Sequence, residues 1–251
     1  MLDSVRFRQP RSWVPRWFMQ LFCCMLGAVA YPLAAPVEAG FVTLHESELD
    51  QIYSQPSFDG SPIDIRYNPT LTLVEPSLLM INSEAKLDQL FSLGPASSPT
   101  VNLFFVDGIS DCGGVELPAI IGCGSQSGNH IVVDSNFAAK TPTAPSTVGL
   151  GAILIGHELG HNLGLDHVPQ TSTNLMTPSV TDSFFLSADP ASVAGNQIAT
   201  ILASPLVQMD GGQRFISITP IAVVVPEPAS LLFALAGGLW LLWVAGRRRV
   251  V

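Results

Sequence analysis

The stretch HELGHNLGLDH, residues 157–167, contains three of the chain's five histidines. His157 and His161 are four residues apart, so on a helix both imidazole rings project from one face and can share one zinc ion. Glu158 lies about 100° further round the helix, where it can reach a water on the metal without binding the metal itself. The run VGLGAILIGHELGHNLGL (148–165) is apolar at helical spacing and predicts the helix that carries these residues.

The glycine at position 164 explains how a third histidine joins the first two. His167 follows His161 by six residues, so it cannot lie on the same face of a straight helix. Glycine permits the positive φ of a sharp turn, and Gly164 is therefore predicted to return His167 to the metal. HExxH alone occurs by chance in unrelated helices, but the complete spacing H-E-x-x-H-x-x-G-x-x-H has an accidental rate well below ~1 in 10,000 at this composition.

The complete motif resembles the long zinc-binding motif of the metzincin metallopeptidases, the clan of astacins, serralysins, reprolysins, matrixins and pappalysins. Those proteins also have a Met-turn beneath the metal, and NLMTP (174–178) supplies a methionine soon after the third histidine. The resemblance implies one catalytic zinc ion, three histidine ligands and a glutamate that acts as general base. The residues that match are His157, His161 and His167 as ligands, Glu158 as the base and Met176 as the hydrophobic floor.

Two further comparisons with the clan concern residues outside this motif. The compact body and the segment rich in glycine and proline before the motif resemble the reprolysin and pappalysin side of the clan. Astacins and serralysins have a tyrosine soon after the Met-turn methionine, whereas TPSVTDSFF (177–185) contains none, so no such role is assigned. His45 and His130 match no position of the motif and are predicted to be structural.

The resemblance implies an exported zinc-dependent endopeptidase. Its protein or peptide substrate would be hydrolysed through a zinc-bound water activated by Glu158. One alternative is a zinc-bearing surface or matrix protein that has lost turnover, and another is a latent protease controlled by the segment near residues 40–60. Retention of Glu158 favours the enzyme, because metal binding alone does not need that residue.

The body from residue 40 to residue 224 is predicted to be one domain of the α/β (α+β) class. Alternating and continuous apolar patterns predict strands, and helical spacing of apolar residues predicts helices. The strands are predicted at 63–68, 101–107 and 130–137, and helices besides the one with the histidines at 83–93 and 191–207. The resemblance implies a metzincin-like zincin domain, in which a twisted mixed sheet accompanies an active-site helix and a C-terminal helix.

Cys112 and Cys123 are the two cysteines of this body. A cysteine pair outside the cytoplasm is more often bonded than free, and this bridge would contribute ~3 kcal/mol by loop entropy. The alternative is a thiolate that ligates zinc and keeps the enzyme latent, but such a switch normally precedes the domain, where this chain has no cysteine after the signal. In the metzincins an extended substrate pairs with an edge strand before the active helix. Residues 113–121 are predicted to form either that edge or a surface loop pinned by the disulfide.

The N-terminus, residues 1–39, is predicted to be a signal peptide. Four arginines are followed by the apolar run 17–30 and then by small residues that offer cleavage sites. The alternative is an uncleaved membrane anchor, for which the run is short.

The C-terminus, residues 225–251, combines VPEPAS, an apolar segment at 231–246 and three arginines. The apolar segment is about long enough for a transmembrane helix, with its basic flank in the cytoplasm. This order resembles the PEP-CTERM sorting signal of Gram-negative bacteria. The resemblance implies transient anchoring in the membrane, processing by an exosortase and delivery to the cell surface or extracellular matrix; a plain anchor is the alternative.

The net negative charge of residues 40–226 bears on which kinds of molecule the domain can bind. Residues 40–226 carry four basic groups and seventeen acidic ones, a net charge of −13. So acidic a body argues against nucleic-acid binding, which needs basic stripes. It suits an exported soluble domain. Carboxylates can also hold calcium, although solvation alone explains most surface carboxylates and no motif supports a calcium site.

Overall fold

The computed structural model describes residues 40–142, 147–170 and 173–225. The described chain is a mixed α/β fold, as predicted. Its helices are α1 (Glu46–Tyr53), α2 (Glu84–Ser92), α3 (Ser135–Ala138), α4 (Leu150–Asn162) and α5 (Gln197–Ala203). Its strands are β1 (Ile63–Tyr67), β2 (Leu71–Val74), β3 (Met80–Ile81), β4 (Val101–Val106), β5 (Gly108–Cys112), β6 (Val115–Ile120), β7 (Gly122–Gly124), β8 (His130–Asp134), β9 (Gln208–Asp210) and β10 (Gln213–Val224). Short 3-10 turns lie at Pro56–Phe58 and Pro76–Leu78.

The larger sheet has the strand order β1-β10-β4-β8-β7, and β2 and β9 also pair with β10. β1, β2 and β4 run parallel to β10, and β8 runs parallel to β4. β9 is antiparallel to β10, and β7 is antiparallel to β8 at one end of the order. The sheet is therefore mixed, as predicted, and β7 is its short antiparallel edge.

Two apolar clusters lie on the two faces of this sheet, as the alternation of side chains along β4 shows. Leu103 and Phe105 belong to the cluster that contains α1 and α4. Phe104 and Val106 belong to the cluster that contains α2. Every residue of β4 is buried, which is usual for a parallel strand covered on both faces. Almost all of α4 is buried, and its apolar residues belong to the first of these clusters, so the helix that carries the histidine motif is a core helix.

Three of the predicted elements agree closely with the structure, and two need correction. The strands at 63–68 and 101–107 are β1 and β4, and the helix at 83–93 is α2, whose N-cap Ser83 accepts a hydrogen bond from a backbone N–H. The strand predicted at 130–137 ends at Asp134, whose side chain caps α3. The helix predicted at 191–207 spans only Gln197–Ala203, because Gly195 has a φ of +65° and Asn196 caps the helix start.

The strand β10 is a central element that the sequence analysis does not predict. It lies between β1 and β4, and its residues from Ile218 to Ala222 pair with β4. Pro220 lies within this pairing, although proline cannot donate to the ladder and is usually confined to edge strands or bulges. Its partners β1 and β4 lie more than a hundred residues earlier in the chain, so no local pattern indicates the pairing.

Residues 113–121 form neither a loop nor the edge beside the histidine helix. Val115–Ile120 is the strand β6, antiparallel to β5 in a smaller sheet with the order β3-β5-β6. The edge beside α4 is instead the next strand, β7. Cys112 of β5 and Cys123 of β7 form a disulfide with a Cα–Cα distance of 5.8 Å, which joins the smaller sheet to the larger one.

The predicted signal peptide at 1–39 lies outside the described residues, and so does the predicted transmembrane helix at 231–246. Among the residues that the structure describes, no helix has the length and apolar character needed to cross a membrane. Val225, the first residue of the predicted sorting signal, directly follows β10.

Candidate metal centre

The imidazole rings of His157, His161 and His167 meet at one point of the structure. The Nε2 atom of His167 lies 3.2 Å from Nε2 of His157 and 3.1 Å from Nε2 of His161. One nitrogen from each ring falls within 4.8 Å of the others, and among the described residues this is the only group of three or more such side chains that could hold a metal ion.

Backbone carbonyls orient two of these rings. Nδ1 of His157 lies 2.7 Å from the carbonyl oxygen of Leu175, and Nδ1 of His161 lies 2.9 Å from that of Leu165. A carbonyl only accepts, so Nδ1 carries the hydrogen in both rings and Nε2 keeps a lone pair. At least two Nε2 lone pairs therefore point into the space shared with His167. A metal cation can accept both lone pairs, whereas a single N–H of His167 can donate to only one of them.

The end of α4 places the third histidine. Gly164 has a φ of +94°, the positive value expected from the motif. The N–H of Leu165 donates to the carbonyl of Gly160, and the N–H of Gly164 donates to that of His161. These two bonds are the Schellman pattern that ends a helix at a glycine. The turn places the Leu165 carbonyl beside Nδ1 of His161. It also returns the chain, so that His167 lies beside the other two histidines.

Glu158 is buried between α4 and the edge strand β7, with 6% of its surface exposed. Burial raises the pKa of Glu158 to about 8, and the nearby backbone N–H of Gly124 only partly opposes this. Without a metal ion the carboxyl group is therefore largely protonated at neutral pH.

Burial also lowers the pKa of each of the three histidines, because it disfavours the imidazolium form. The effect is largest at His157, whose pKa falls to about 4; the neighbouring histidines lower it further, while the Leu175 carbonyl opposes the shift. All three rings are thus neutral near pH 7, which is the form that binds a metal.

Met176 lies beneath the histidines and is fully buried. A methyl group added at Gly160, between the first two histidines, would lie 2.5 Å from the Met176 sulfur, so the methionine packs directly on this part of α4. The Met176 N–H donates to Asn174 Oδ1. The Asn174 side chain in turn exchanges two hydrogen bonds, of 2.7 and 3.0 Å, with the Gln197 amide at the start of α5.

Contacts from other elements hold α4 at its beginning and at its middle. Glu48 accepts a 2.7 Å hydrogen bond from the N–H of Gly149, the N-cap of the helix, and also contacts His45. The hydroxyl of Tyr53 donates to the carbonyl of Gly156 in the middle of the helix.

The loop between β7 and β8 holds the other end of α4. Asn162 donates to the carbonyls of Ser125 and His130. Gln126 in this loop donates to Asp166, which precedes the third histidine.

The two remaining histidines lie away from the cluster, as predicted. His45 is buried, and its Nε2 lies 2.7 Å from the Ala138 carbonyl, so it joins α1 to the end of α3. His130 stacks on Phe91 with a ring-centroid distance of 5.1 Å. Both have packing roles.

Several residues that shape this site are not predicted from the sequence. Gly122 and Gly124 contact the Glu158 side chain, Asn174 and Gln197 fix the turn at Met176, and Tyr53 reaches the helix backbone. Their separations from the motif in sequence are large or irregular. The glycine-rich character of residues 122–124 was the only available signal.

No protein-family model matches the chain, and no curated protein matches it either.

Proposed function

We propose that this protein is an exported zinc-dependent endopeptidase of the metzincin type, on the reprolysin and pappalysin side of the clan. The observation that carries the proposal is the convergence of three Nε2 atoms beside one buried glutamate on the same helix. A glutamate is not needed to bind the metal, so its retention beside the ligands favours catalysis.

Zinc fits the three histidines. Zinc–nitrogen bonds of about 2.0–2.1 Å at tetrahedral angles separate ligand nitrogens by about 3.3 Å. The distances of 3.1 and 3.2 Å between Nε2 atoms are close to that value. Three protein ligands with a fourth position open to solvent or substrate is the arrangement of catalytic rather than structural zinc sites.

When bound, zinc polarises a substrate carbonyl and makes water available as a nucleophile near neutral pH. Glu158 accepts a proton from the attacking water and then donates it to the leaving amine. A cation held by the three histidines would favour the ionised carboxylate and would so lower the pKa of Glu158 from about 8, in the same direction as the nearby Gly124 N–H.

The remaining parts of the proposal concern where the protein acts. The Cys112–Cys123 disulfide supports an oxidising compartment. The N-terminal signal and the PEP-CTERM-like segment at 225–251 support export from a Gram-negative bacterium, processing by an exosortase and display at the cell surface or matrix. A protease delivered to that location would have protein or peptide substrates at the cell surface or in the matrix.

A second candidate is a zinc-bearing surface protein that does not turn over substrate. The burial of Glu158, with 6% of its surface exposed, favours it. Turnover separates the two candidates, since both bind zinc.

The test compares the zinc-loaded full chain with Glu158→Gln in the hydrolysis of a quenched peptide library. We expect the substitution to lower kcat at least ~100-fold, because it removes the general base, while zinc content stays unchanged. Glu46→Gln, an exposed glutamate on α1, is the matched control and should cleave like the parent. His161→Ala should lose zinc and activity together. Zinc binding without cleavage by the parent would support the second candidate.

A further inference from the structure

The edge strand β7 consists of Gly122, Cys123 and Gly124, and its pairing with β8 sets the direction of its backbone groups. The N–H of Ser125 donates to His130, and the N–H of Asp134 donates to Ile121. Backbone groups of successive residues in an antiparallel strand point to opposite sides. Those of residues 121, 123 and 125 therefore face β8, and the N–H and C=O groups of Gly122 and Gly124 face the free edge.

The two faces of β7 contact different parts of the protein. The Cys123 side chain lies in the apolar cluster that contains α2 and bonds to Cys112. Because side chains alternate along a strand, Gly122 and Gly124 share the opposite face. That face lies against α4, within contact distance of Leu154 and Glu158.

The space at these two glycines is taken up by Glu158. A methyl group at position 122 would lie 2.6 Å from Oε1 of Glu158 and 2.8 Å from a methyl carbon of Leu154. A methyl group at position 124 would lie 2.6 Å from the backbone oxygen of Glu158 and 3.2 Å from its Oε2. Contacts under 3.0 Å require a displacement, and at position 122 the group nearest to the added methyl is the carboxylate itself.

The backbone N–H of Gly124, at this free edge, lies near the carboxylate and lowers its pKa, against the larger effect of burial. Glu158 is therefore bounded by the glycine face of β7 and has a backbone donor near its carboxylate. The disulfide on the opposite face ties the same strand to β5, so β7 has little freedom to move away.

We propose that the strand β7 positions Glu158, and that Gly122, Gly124 and the disulfide-bonded Cys123 are its positioning residues. The two glycines leave room for the carboxylate beside the histidines, the Gly124 N–H lies near it, and the Cys112–Cys123 bond fixes the strand from behind. The consequence for turnover rests on the proposed function, whereas the contact between β7 and Glu158 does not.

The first test is a double-mutant cycle on thermal stability in the metal-free full chain. Gly122→Ala should lower Tm by about 5 °C, as expected for overpacking in a domain of this size. In the Glu158→Ala background the same change should lower Tm by less than half as much, because the displaced carboxylate is gone. An equal drop in both backgrounds would overturn the proposal, since simple crowding between β7 and the helix does not depend on the carboxylate.

The second test measures zinc content, kcat and KM of Gly122→Ala after metal loading. We expect zinc content to be unchanged, KM to stay within about twofold and kcat to fall at least ~10-fold, because a small misplacement of a catalytic group is costly. Gly108→Ala is the matched control, since its new methyl would meet only the flexible end of Met80 in β3. It should retain the parent kcat.

The two tests separate failure of this inference from failure of the proposed function. A parent that binds zinc and cleaves nothing contradicts the proposed protease, and the stability cycle still decides whether β7 positions Glu158. An active parent whose kcat is unaffected by Gly122→Ala, or a variant that loses zinc, contradicts the positioning role.

Discussion

At the scale of single residues, the site combines an acid and bases that burial affects in opposite directions. Burial raises the pKa of Glu158 to about 8 and lowers that of His157 to about 4. One cause explains both, because a low-dielectric environment disfavours the charged form of either group. In the metal-free protein both side chains are therefore mainly neutral near pH 7, and a metal cation compensates for the carboxylate charge when it binds.

The raised pKa of Glu158 predicts how the stability of the metal-free protein depends on pH. Between pH 6.5 and 8 the unfolded glutamate is ionised, while the folded one still holds a proton. The contribution of Glu158 to the free energy of unfolding should therefore fall with rising pH, by up to about 1.4 kcal/mol per pH unit. The three histidines have lowered pKa values in the folded protein, so they contribute a slope of the opposite sign, which is largest near pH 6.5 and fades towards pH 8 as the unfolded imidazoles lose their protons.

Urea denaturation of the chelated protein at several pH values from 6.5 to 8 measures this slope. Glu158→Gln is the matched variant. It keeps the three histidines and lacks the glutamate, so the parent's free energy of unfolding should fall relative to that of the variant as the pH rises. Identical slopes in the two proteins would show that Glu158 does not hold its proton in the folded state.

At the scale of elements, β7 and the loop that follows it make contacts that hold the histidine helix α4 in place. The glycine face of β7 bounds Glu158, the loop from residue 125 to residue 129 holds the end of α4, and the disulfide joins β7 to β5. A bridge between residues eleven apart contributes ~3 kcal/mol to stability through the entropy of the unfolded chain.

The double variant Cys112→Ala with Cys123→Ala should therefore lower the free energy of unfolding by ~3 kcal/mol. Its zinc content should equal that of the parent, because the bonded sulfurs do not contribute to the histidine cluster. Denaturation and metal analysis in the presence and absence of a dithiol reductant check this, and the reductant should leave the double variant unchanged. Loss of zinc from the variant would instead favour a thiolate ligand.

At the scale of the whole molecule, charge is distributed unevenly along the chain. Residues 141–213 include the histidine helix, the Met176 turn and α5, and they contain acidic groups but no lysine or arginine. Of the four basic residues in the body, Arg66 is already paired with Asp64 and Asp210. The region around the candidate metal centre therefore has a negative field, which raises the local concentration of cationic ligands.

If the protein cleaves peptides as proposed, substrates flanked by lysines should have a kcat/KM roughly 10-fold higher than the same substrates flanked by glutamates at low ionic strength. The difference should shrink in 0.5–1 M salt, where the Debye length falls to a few ångströms. Matched peptide pairs assayed across a salt series measure this. A preference that does not change with salt would indicate direct contacts instead of the long-range field.

The local geometry of the candidate metal centre could be predicted from a short stretch of the chain. The spacing of His157 and His161, the positive φ at Gly164 and the return of His167 all depend on about a dozen consecutive residues, and helix geometry alone relates them. Strands β1 and β4 and helix α2 are likewise visible as local apolar patterns. Each of these features could be predicted because its energy arises between residues that are close in the chain.

The residues that surround the histidines and Glu158 come from distant parts of the chain and could not be predicted in this way. β10 enters the middle of the sheet beside strands formed more than a hundred residues earlier, Gln197 secures the turn at Met176, and Gly122 and Gly124 bound Glu158. These contacts depend on which strands pair and in which register. Pairing and register follow from burial of the whole apolar surface at once, so no local pattern records them.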